Sequence, residues 1–432
     1  MTSPLVPGVP AEGHEPAERR PTDWRTPSMQ ARIRRRYAAE RRFRMMGLGA
    51  IGLSLAALVF LLSTMLGQGI GGFFETRIAL PIDLRHAQLH LDAARVAGPP
   101  ADLALAGAGL ESAVDTAASI AYPAQGGAAL LSDGAWLRVR DAIKRDPSLL
   151  TRRATLDVPV ASAIDIAFKG SGDAATEEKV AALGPRLSRG VNWDFLSGSD
   201  SNDPTRAGIW GALKGSLFTM FVTLGLAFPL GVLSAIYLEE YAPRNRVTDL
   251  IEVSINNLAA VPSIIFGLLG LAVFLGTFHL PRSAAIVGGL TLALMTMPVI
   301  VIAARNAIKA VPPSIRDAAL AIGASHVQTV FHHVLPLALP GILTGTIIGM
   351  ARALGETAPL LMIGMRAFIA APPDTLTDPS TVLPVQIFLW SDQVQLGFVE
   401  KTSAAIVVLL VFLLAMNGLA IYLRNRFETR WK

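Results

Sequence analysis

The chain has 432 residues, 52% of them hydrophobic and only 16% charged, which argues against an ordinary soluble domain, where about 25% of residues are charged. It contains no cysteine, which excludes disulfides, thiolate metal sites and cysteine nucleophiles. Its formal charge of +5 comes with arginines that flank the apolar stretches, a pattern typical of the cytoplasmic ends of membrane spans rather than of a nucleic-acid surface.

Residues 1–45 form the first predicted segment, a basic cytoplasmic N-terminus with the composition of a disordered chain. An apolar stretch follows at residues 46–66 and has the length of about 20 residues that a helix needs to cross a bilayer. Its polar leader is too long and its apolar core exceeds the roughly 7–15 residues of a cleaved signal peptide. We therefore predict a transmembrane signal-anchor.

Residues 67–208 are predicted to lie outside the membrane, and about 140 residues are enough to bury a hydrophobic core. Several stretches have the helical spacing of apolar residues, whereas ATLDVPVASAIDIAF alternates as a strand does. We predict a small α+β periplasmic domain that ends in the polar linker SGSDSNDPTRAG. His86 and His90 have the i, i+4 spacing of metal ligands but no third ligand presents itself, so no metal site is predicted.

Five more apolar stretches bring the predicted number of membrane spans to six. Lys and Arg concentrate in the alternate loops and in both tails, so both termini are predicted to be cytoplasmic. Glu239 and Glu240 lie near a span end and are expected to reach toward the membrane surface. The predicted fold is an all-α polytopic membrane protein, with five helices in residues 209–424 and a basic cytoplasmic tail at residues 425–432. The five stretches are residues 209–238, 250–278, 283–304, 337–362 and 403–423.

The loop between the fourth and fifth spans reads RDAALAIGASHVQTVFHHVLP and is too polar to enter lipid. Ser314 and Asp317 have the spacing of a capping box at the start of a short helix. Gly323 is placed to end that helix in a left-handed conformation. Ala318 and Ala319 would give the helix a small-residue face that a partner could approach closely.

A second short helix is predicted to begin at Ser325, with Gln328 at the third position of another capping box, and to end before Pro336. The two helices could form a plain structural connector or a DNA-binding helix–turn–helix. DNA binding is disfavoured because the second helix contains no Lys or Arg to contact phosphates.

The fifth span combines small residues with two ionisable ones. Gly341, Gly345 and Gly349 recur every four residues, which predicts one face for close helix packing. Arg352 and Glu356 also have i, i+4 spacing, and ionisable residues in a span are either functional or tied in a structural ion pair. An arginine fork suits a tetrahedral oxyanion, and a nearby carboxylate could accept the proton that phosphate, unlike sulfate, keeps near neutral pH.

A family resemblance bears on the loop. The pattern DAALAIG, nine residues and HVLP resembles the E-A-A-x3-G-x9-I-x-L-P loop of type I ABC importer permeases, with Asp317 in place of Glu and His333 in place of Ile. In that family the loop docks into a cleft of a cytoplasmic ATPase. The chain itself has no G-x-x-x-x-G-K-[ST] motif for ATP phosphates, which implies a separate ATPase. The resemblance assigns the docking loop to Asp317, Ala318, Ala319, Gly323, Leu335 and Pro336.

The PstA-type permeases of phosphate importers are similar to this chain in further stretches. They include ARALGETAPLL, TVLPVQIFLW and YLEEYAPRNRVTDLIEVSINNLAAVPSIIFGLLGL. The resemblance covers about residues 207–426, half of the chain, and implies the type I importer permease fold with the α+β domain inserted between helices 1 and 2. It implies that Arg352 and Glu356 line the translocation path. Asn257 in the third span is predicted either to join them or to bond across helices.

The resemblance implies a permease subunit of an ATP-driven ABC importer that translocates inorganic phosphate across the bacterial inner membrane. The implied partners are a second homologous permease subunit (PstC type), an ATP-binding subunit dimer (PstB type), a periplasmic phosphate-binding protein (PstS type) and membrane lipid, without nucleic acid. No catalytic, cofactor-binding or metal-ligating residue is predicted, and the partner ATPase would bind ATP. Two alternatives stay open: a permease of the same fold for another oxyanion, such as molybdate or sulfate, and a membrane sensor or receptor.

Overall fold

The computed structural model describes residues 26–85 and 101–428, so His86 and His90 lie outside the described residues. The chain divides into two compact units, Met1–Ser63 and Thr64–Lys432. The described part of the first unit is almost wholly helix α1, Pro27–Gly69, whose last residues belong to the second unit. Disorder was predicted for residues 27–45, but they are helical. Their Arg, Ala and Glu residues are good helix formers.

An α+β domain follows α1 and fits the one predicted from the sequence. Its antiparallel sheet has the strand order β2-β1-β3, with Leu80 opposite Leu156 and Phe74 opposite Val191. The strands are β1 Phe74–Asp83, β2 Arg153–Pro159 and β3 Leu187–Val191. The helices are α2 Ala101–Gly107, α3 Leu110–Ala121, α4 Ala135–Arg145, α5 Ser162–Phe168, α6 Ala174–Leu183 and α7 Trp193–Ser197.

The core of this domain lies between the sheet and helices α3 and α4. Ile78 and Leu80 point from β1 into it, and Val114 and Val139 come from the helices. All four side chains are fully buried or nearly so. Alternate residues of β1 are buried, as expected of a strand with one face on a hydrophobic core.

The segment that we predicted to be a polar linker is ordered and largely buried. The side chain of Asp203 accepts bonds from the backbone N–H and hydroxyl of Thr205, and Gly208 donates its N–H to the carbonyl of Ser199 at 2.7 Å. The Asp200 carboxylate accepts a 2.8 Å bond from the indole N–H of Trp390. Because these polar groups bond within the protein, they can be packed against it, and the linker prediction is wrong.

Five helical stretches among the described residues are long and apolar enough to cross a membrane. A sixth span arises if two helices that meet at an angle of 99°, Arg246–Ala259 and Ser263–Thr277, count as one. The third predicted span is therefore a bent pair and not a single helix. Pro262 lies at the break, where its missing N–H interrupts the helical ladder. The five stretches are Pro27–Phe73, Trp210–Tyr241, Ala285–Lys309, His326–Leu354 and Gly397–Arg426.

Three π-helical turns, which contain one extra residue per turn, extend α8 and α10 and precede α14; they are Tyr237–Tyr241, Leu271–Thr277 and Thr329–Val334. The α-helices are α8 Trp210–Ile236, α9 Arg246–Ala259, α10 Ser263–Gly270, α11 Ala285–Lys309, α12 Pro313–Ala321, α13 His326–Gln328, α14 Leu335–Leu354, α15 Ala358–Met362, α16 Leu383–Ser391 and α17 Gly397–Glu428.

Charged residues join the α+β domain to the beginning of α17. The Lys169 ammonium lies 2.7 Å from a carboxylate oxygen of Asp165 and 2.9 Å from one of Glu400. The buried Lys401 donates to the carbonyl of Gly72 at 3.2 Å. A Cβ at Gly71 would overlap the Glu400 side chain, so the chain comes very close to α17 here. These contacts hold the domain to the membrane helices without a flexible connection.

Candidate functional site

Helix α12 ends at Ala321, and Gly323 terminates it in a left-handed conformation, as predicted. Gly323 has φ of +89°, and its N–H donates to the carbonyl of Leu320 at 3.0 Å. The N–H of Ala324 donates to the carbonyl of Ala319 at 3.1 Å. This Schellman arrangement satisfies the last helical carbonyls and requires a left-handed residue, which glycine adopts without steric cost.

The beginning of α12 differs from the prediction. The helix begins at Pro313, after Pro312, and no side chain caps it. The predicted capping box of Ser314 and Asp317 is therefore wrong. Proline suits the first helical position because its φ is fixed near the helical value and it has no N–H to leave unpaired.

The second capping box forms as predicted, but its helix does not end where we expected. Ser325 accepts from the N–H of Gln328 at 3.3 Å, and Gln328 accepts from the N–H of Ser325 at 2.9 Å. After α13 the π-helical turn Thr329–Val334 leads directly into α14, so the predicted end before Pro336 is wrong. In an α-helix the ring of Pro336 would meet the carbonyl of His332, and the wider turn accommodates it.

The two loop helices present an apolar surface that sequence reasoning missed. Its most exposed member, Ile322, is 82% exposed. A signal was present, because these apolar residues interrupt a polar loop that is too short to span a membrane. We define this apolar patch as Leu320, Ile322, Val327 and Phe331.

The residues assigned to the docking loop fall into two groups. Ala319 is buried against the protein, whereas Ala318 is exposed, so the two alanines do not form the single exposed face that was predicted. His333, which stands where the family pattern has Ile, is half-buried at the base of the loop. Asp317, Ala318 and Gly323 are exposed, whereas Leu335 and Pro336 are half-buried at the start of α14.

Arg352 and Glu356 lie where α14 breaks. The helix ends at Leu354, so Glu356 follows the helix and does not continue its face as predicted. The arginine Nε is 3.5 Å from a carboxylate oxygen, and the Arg352 side chain is 51% exposed within this chain. A long bond and a half-exposed guanidinium leave most of the donors of Arg352 available to another group.

The small residues of α14 face α11. A Cβ at Gly341 would lie 2.8 Å from the Cβ of Ala307, and one at Gly345 would overlap Ala303. A Cβ at Gly349 would lie 3.1 Å from a methyl of Thr296. The two helix backbones therefore approach closely along this row.

Asn257 lies on α9, the first helix of the bent pair. Its side chain and that of Asn256 are exposed, and none of the residues of α9 is buried within this chain. The helix thus leaves polar and apolar faces uncovered by the described residues. Among the described residues, no hydrogen bond joins the Asn257 side chain to Arg352 or Glu356, which bond to each other.

Two acidic residues at the end of α8 were predicted to reach toward the membrane surface, and this prediction is wrong. Glu239 binds Arg305 of α11 at 2.5 Å, and Glu240 binds Arg316 of α12 at 2.6 Å. The Glu240 side chain is only 5% exposed. Both carboxylates are therefore used inside the protein, at the base of the loop.

Comparison with known proteins gives two family matches. Residues 227–429 match the family described as binding-protein-dependent transport system inner membrane component. Residues 30–178 match a domain of unknown function, DUF3333. The first match includes the loop, the Arg352–Glu356 pair and helix α17, whereas the second includes most of the α+β domain.

Two curated relatives and one solved structure are similar to parts of the chain. A probable ABC transporter permease protein, YqgI of Bacillus subtilis (strain 168), is 36% identical over 40% of this chain and 58% of its own length. The phosphate transport system permease protein PstA 1 of Mycobacterium tuberculosis (strain CDC 1551 / Oshkosh) is 33% identical over 47% of this chain and 66% of its own. The inward-facing MetNI methionine ABC transporter shares 20% identity over 51% of this chain and 94% of that chain, with a TM-score of 0.38.

The matches thus span somewhat less than two thirds of these two curated relatives. The curated relatives and the family match indicate the same class of membrane permease, similar to the PstA type. The several apolar helices among the described residues fit that class. Members of this family are transporter subunits and not enzymes themselves. Residues 227–429 thus match the family of binding-protein-dependent transport system inner membrane components, and this part of the chain is similar to PstA-type permeases of ABC importers.

Proposed function

We propose that the chain is a permease subunit of an ATP-driven importer that carries inorganic phosphate across the bacterial inner membrane, with both termini in the cytoplasm. The observation that carries this proposal is the loop of α12 and α13. Gly323 ends its first helix and the Ser325 capping box begins its second, it presents the apolar patch, and the sequence has no ATP-binding motif of its own. Such a surface suits a separate ATPase whose cycle drives the permease.

The proposed assembly contains a second, homologous permease subunit of the PstC type and a dimer of PstB-type ATPases that bind ATP. A PstS-type binding protein would deliver phosphate from the periplasm. Docking of the ATPase would involve Asp317, Ala318, Gly323 and the apolar patch, while Ala319, Leu335 and Pro336 would hold the loop from behind. The ATPase would transmit its closure through the loop as a rigid-body movement.

Phosphate is the proposed substrate because Arg352 and Glu356 offer complementary groups. The guanidinium can donate two parallel bonds to a tetrahedral oxyanion, and the carboxylate can accept the proton of hydrogen phosphate. Sulfate has no such proton near neutral pH. The curated PstA 1 of Mycobacterium tuberculosis, a phosphate transport permease by name, supports the same choice.

The substrate is tested by ATP hydrolysis in the reconstituted complex. We expect phosphate-loaded binding protein to stimulate hydrolysis, and sulfate or molybdate not to do so. Glu356→Gln should reduce the stimulation about tenfold, because loss of a hydrogen bond to a charged group costs about 1.5–3 kcal/mol. The matched control is Glu178→Gln on the exposed face of α6. Stimulation by sulfate but not phosphate would reject phosphate as the substrate.

A further inference from the structure

Both helices of the loop are attached to one short turn of another helix. This is the π-helical turn Tyr237–Tyr241, of sequence YLEEY, which we call the YLEEY turn. We propose that Glu240 and Arg316 are a positioning pair that makes the loop move with α8 as one rigid body. The proposal rests on the proposed function of the loop and adds to it the residues that convey the loop's movement to the membrane helices.

Arg316 connects α12 to the YLEEY turn and to α11 at once. Its Nη2 is 2.6 Å from Glu240 Oε1, and its Nε donates to the same oxygen at 3.1 Å. The remaining donors reach the carbonyls of Val311 at 2.7 Å and Ile308 at 3.1 Å. Only a guanidinium has enough donors in a fixed plane to make this set of bonds.

Glu240 has little alternative to this partner. Its side chain is 5% exposed, and a carboxylate withdrawn from water is strongly disfavoured unless it is paired and hydrogen-bonded. Loss of the pair would therefore leave a buried charge at the base of the loop. The pair thus specifies one position of α12 relative to α8 more strictly than a surface ion pair does.

The second loop helix is attached to the same turn. The His326 Nε2 lies 3.0 Å from the backbone oxygen of Glu240, a bond in which the ring nitrogen donates because a carbonyl only accepts. The Tyr241 ring meets the His326 ring edge to face, with centroids 5.1 Å apart. Both loop helices are therefore held by residues 240 and 241 of one turn.

The neighbouring acidic residue adds a second connection to α11 and extends the connection to α9. Glu239 binds Arg305 of α11, and Arg305 in turn lies 2.8 Å from Glu252 of α9. Lys309 of α11 approaches Glu239 at 3.3 Å. A force on the loop would thus reach α8, α9 and α11 through these ion pairs. It would not have to pass through the backbone that connects the loop to the neighbouring helices.

The test uses the assembled complex with Glu240→Gln and Arg316→Lys. Asp249→Asn and Arg244→Lys are the matched controls, because both residues are exposed and lie within ten residues of Glu240 in the sequence. Three quantities are measured: retention of the ATPase subunits, phosphate transported per ATP hydrolysed, and hydrogen exchange of residues 313–328. Arg316→Lys keeps the charge but loses the fork, so its defect should be smaller than that of Glu240→Gln.

We expect both pair variants to retain the ATPase, because the apolar patch is unchanged. The amount of phosphate transported per ATP should fall about fivefold or more in Glu240→Gln, because couplings between sites usually correspond to factors of about 5 to 150. Exchange should quicken in both α12 and α13, although the substitution lies on α8. The controls should match the wild type. An unchanged transport ratio, or faster exchange in α12 alone, would overturn the proposal.

If the pair only stabilised the structure, its loss would lower ATP hydrolysis and phosphate transport in parallel and leave their ratio constant. That result would also contradict the proposal. If Glu240→Gln does not assemble, the ratio and the exchange of Arg316→Lys decide the question. Hydrogen exchange needs no phosphate. If the wild-type complex carried another substrate, the proposed function would fail while the positioning pair would still be tested by exchange.

Discussion

At the scale of single residues, the base of the loop of α12 and α13 shows how much a buried charge depends on its partner. Neither Glu239 nor Glu240 could be assigned from the sequence, since acidic residues at a span end usually face water. Their partners Arg305 and Arg316 lie more than sixty residues away in the chain. Spacing rules predict contacts within one helix, but pairs between distant helices depend on the packing of the whole fold.

Asp200 provides a prediction about pH. Its carboxylate is half-buried beside Trp390, and burial raises its pKa above the ordinary value. The folded protein therefore holds this proton more tightly than the unfolded chain, so the free energy of unfolding falls as pH rises from the unfolded pKa to the raised one. Asp200→Asn keeps the oxygen that accepts from the indole and removes the ionisation.

We expect Asp200→Asn to match the wild type in thermal midpoint at about pH 4 and to exceed it at pH 7. The measurement is a series of thermal unfolding curves of the detergent-purified protein across this pH range. Asp249→Asn, at an exposed position, is the control. A variant that is less stable at pH 7 than at pH 4, relative to the wild type, would show that the carboxylate is stabilising when ionised.

At the scale of elements, local sequence signals predicted most of the loop. Gly323 and Ser325 end and begin their helices as expected, because both signals act through the nearest backbone groups. Signals that involve proline were less informative. Pro313 begins helix α12 one residue before the predicted cap. Pro336 was expected to end the second loop helix, but a π-helical turn accommodates it. Either outcome depends on how the flanking helices pack.

The contact between α11 and α14 provides a prediction about packing. Gly345→Val should lower the free energy of unfolding by about 1–3 kcal/mol, since the side chain would overlap Ala303 and force the helices apart. Gly225→Val on α8 is the control because a Cβ there meets no atom within 4 Å. Both variants carry the same helix propensity change, so the difference between their thermal midpoints reports packing. Equal midpoints would contradict the close approach.

At the scale of the whole molecule, the sequence predicted the membrane class, an α+β domain and a set of apolar helices. It did not predict that residues 197–208 pack between the domain and α16, since polar composition normally indicates a solvated linker. Pro262 in the third span predicted at most a kink, and the 99° break between α9 and α10 was not predicted. In both cases the deciding contacts are long-range, and no window of sequence contains them.

The junction between the α+β domain and α17 provides a prediction about stability. Lys169→Met would leave Asp165 and Glu400 without their shared cation. Breaking a fully buried ion pair costs about 3–5 kcal/mol, and we expect a part of that cost here because the three side chains are half-buried. We expect a clearly lower thermal midpoint of the purified protein. Lys179→Met on the exposed face of α6 should leave it unchanged. An unchanged midpoint in Lys169→Met would show that the junction does not stabilise the chain.

We propose that this permease imports phosphate and that its loop of α12 and α13 responds to a separate ATPase. The direct measurement is uptake of radiolabelled phosphate by cells that lack the protein and receive the wild type, Gly323→Asp or Gly170→Asp. Both glycines have φ near +90° and open space, but only Gly323 lies in the loop, so the two variants share the backbone strain of about 1–2 kcal/mol.

We expect the wild type and Gly170→Asp to restore uptake, and Gly323→Asp to reach the membrane in normal amount without restoring it. Phosphate uptake at the wild-type level in cells with Gly323→Asp would contradict the proposed role of the loop. Absence of phosphate uptake with the wild-type protein would contradict the proposed substrate.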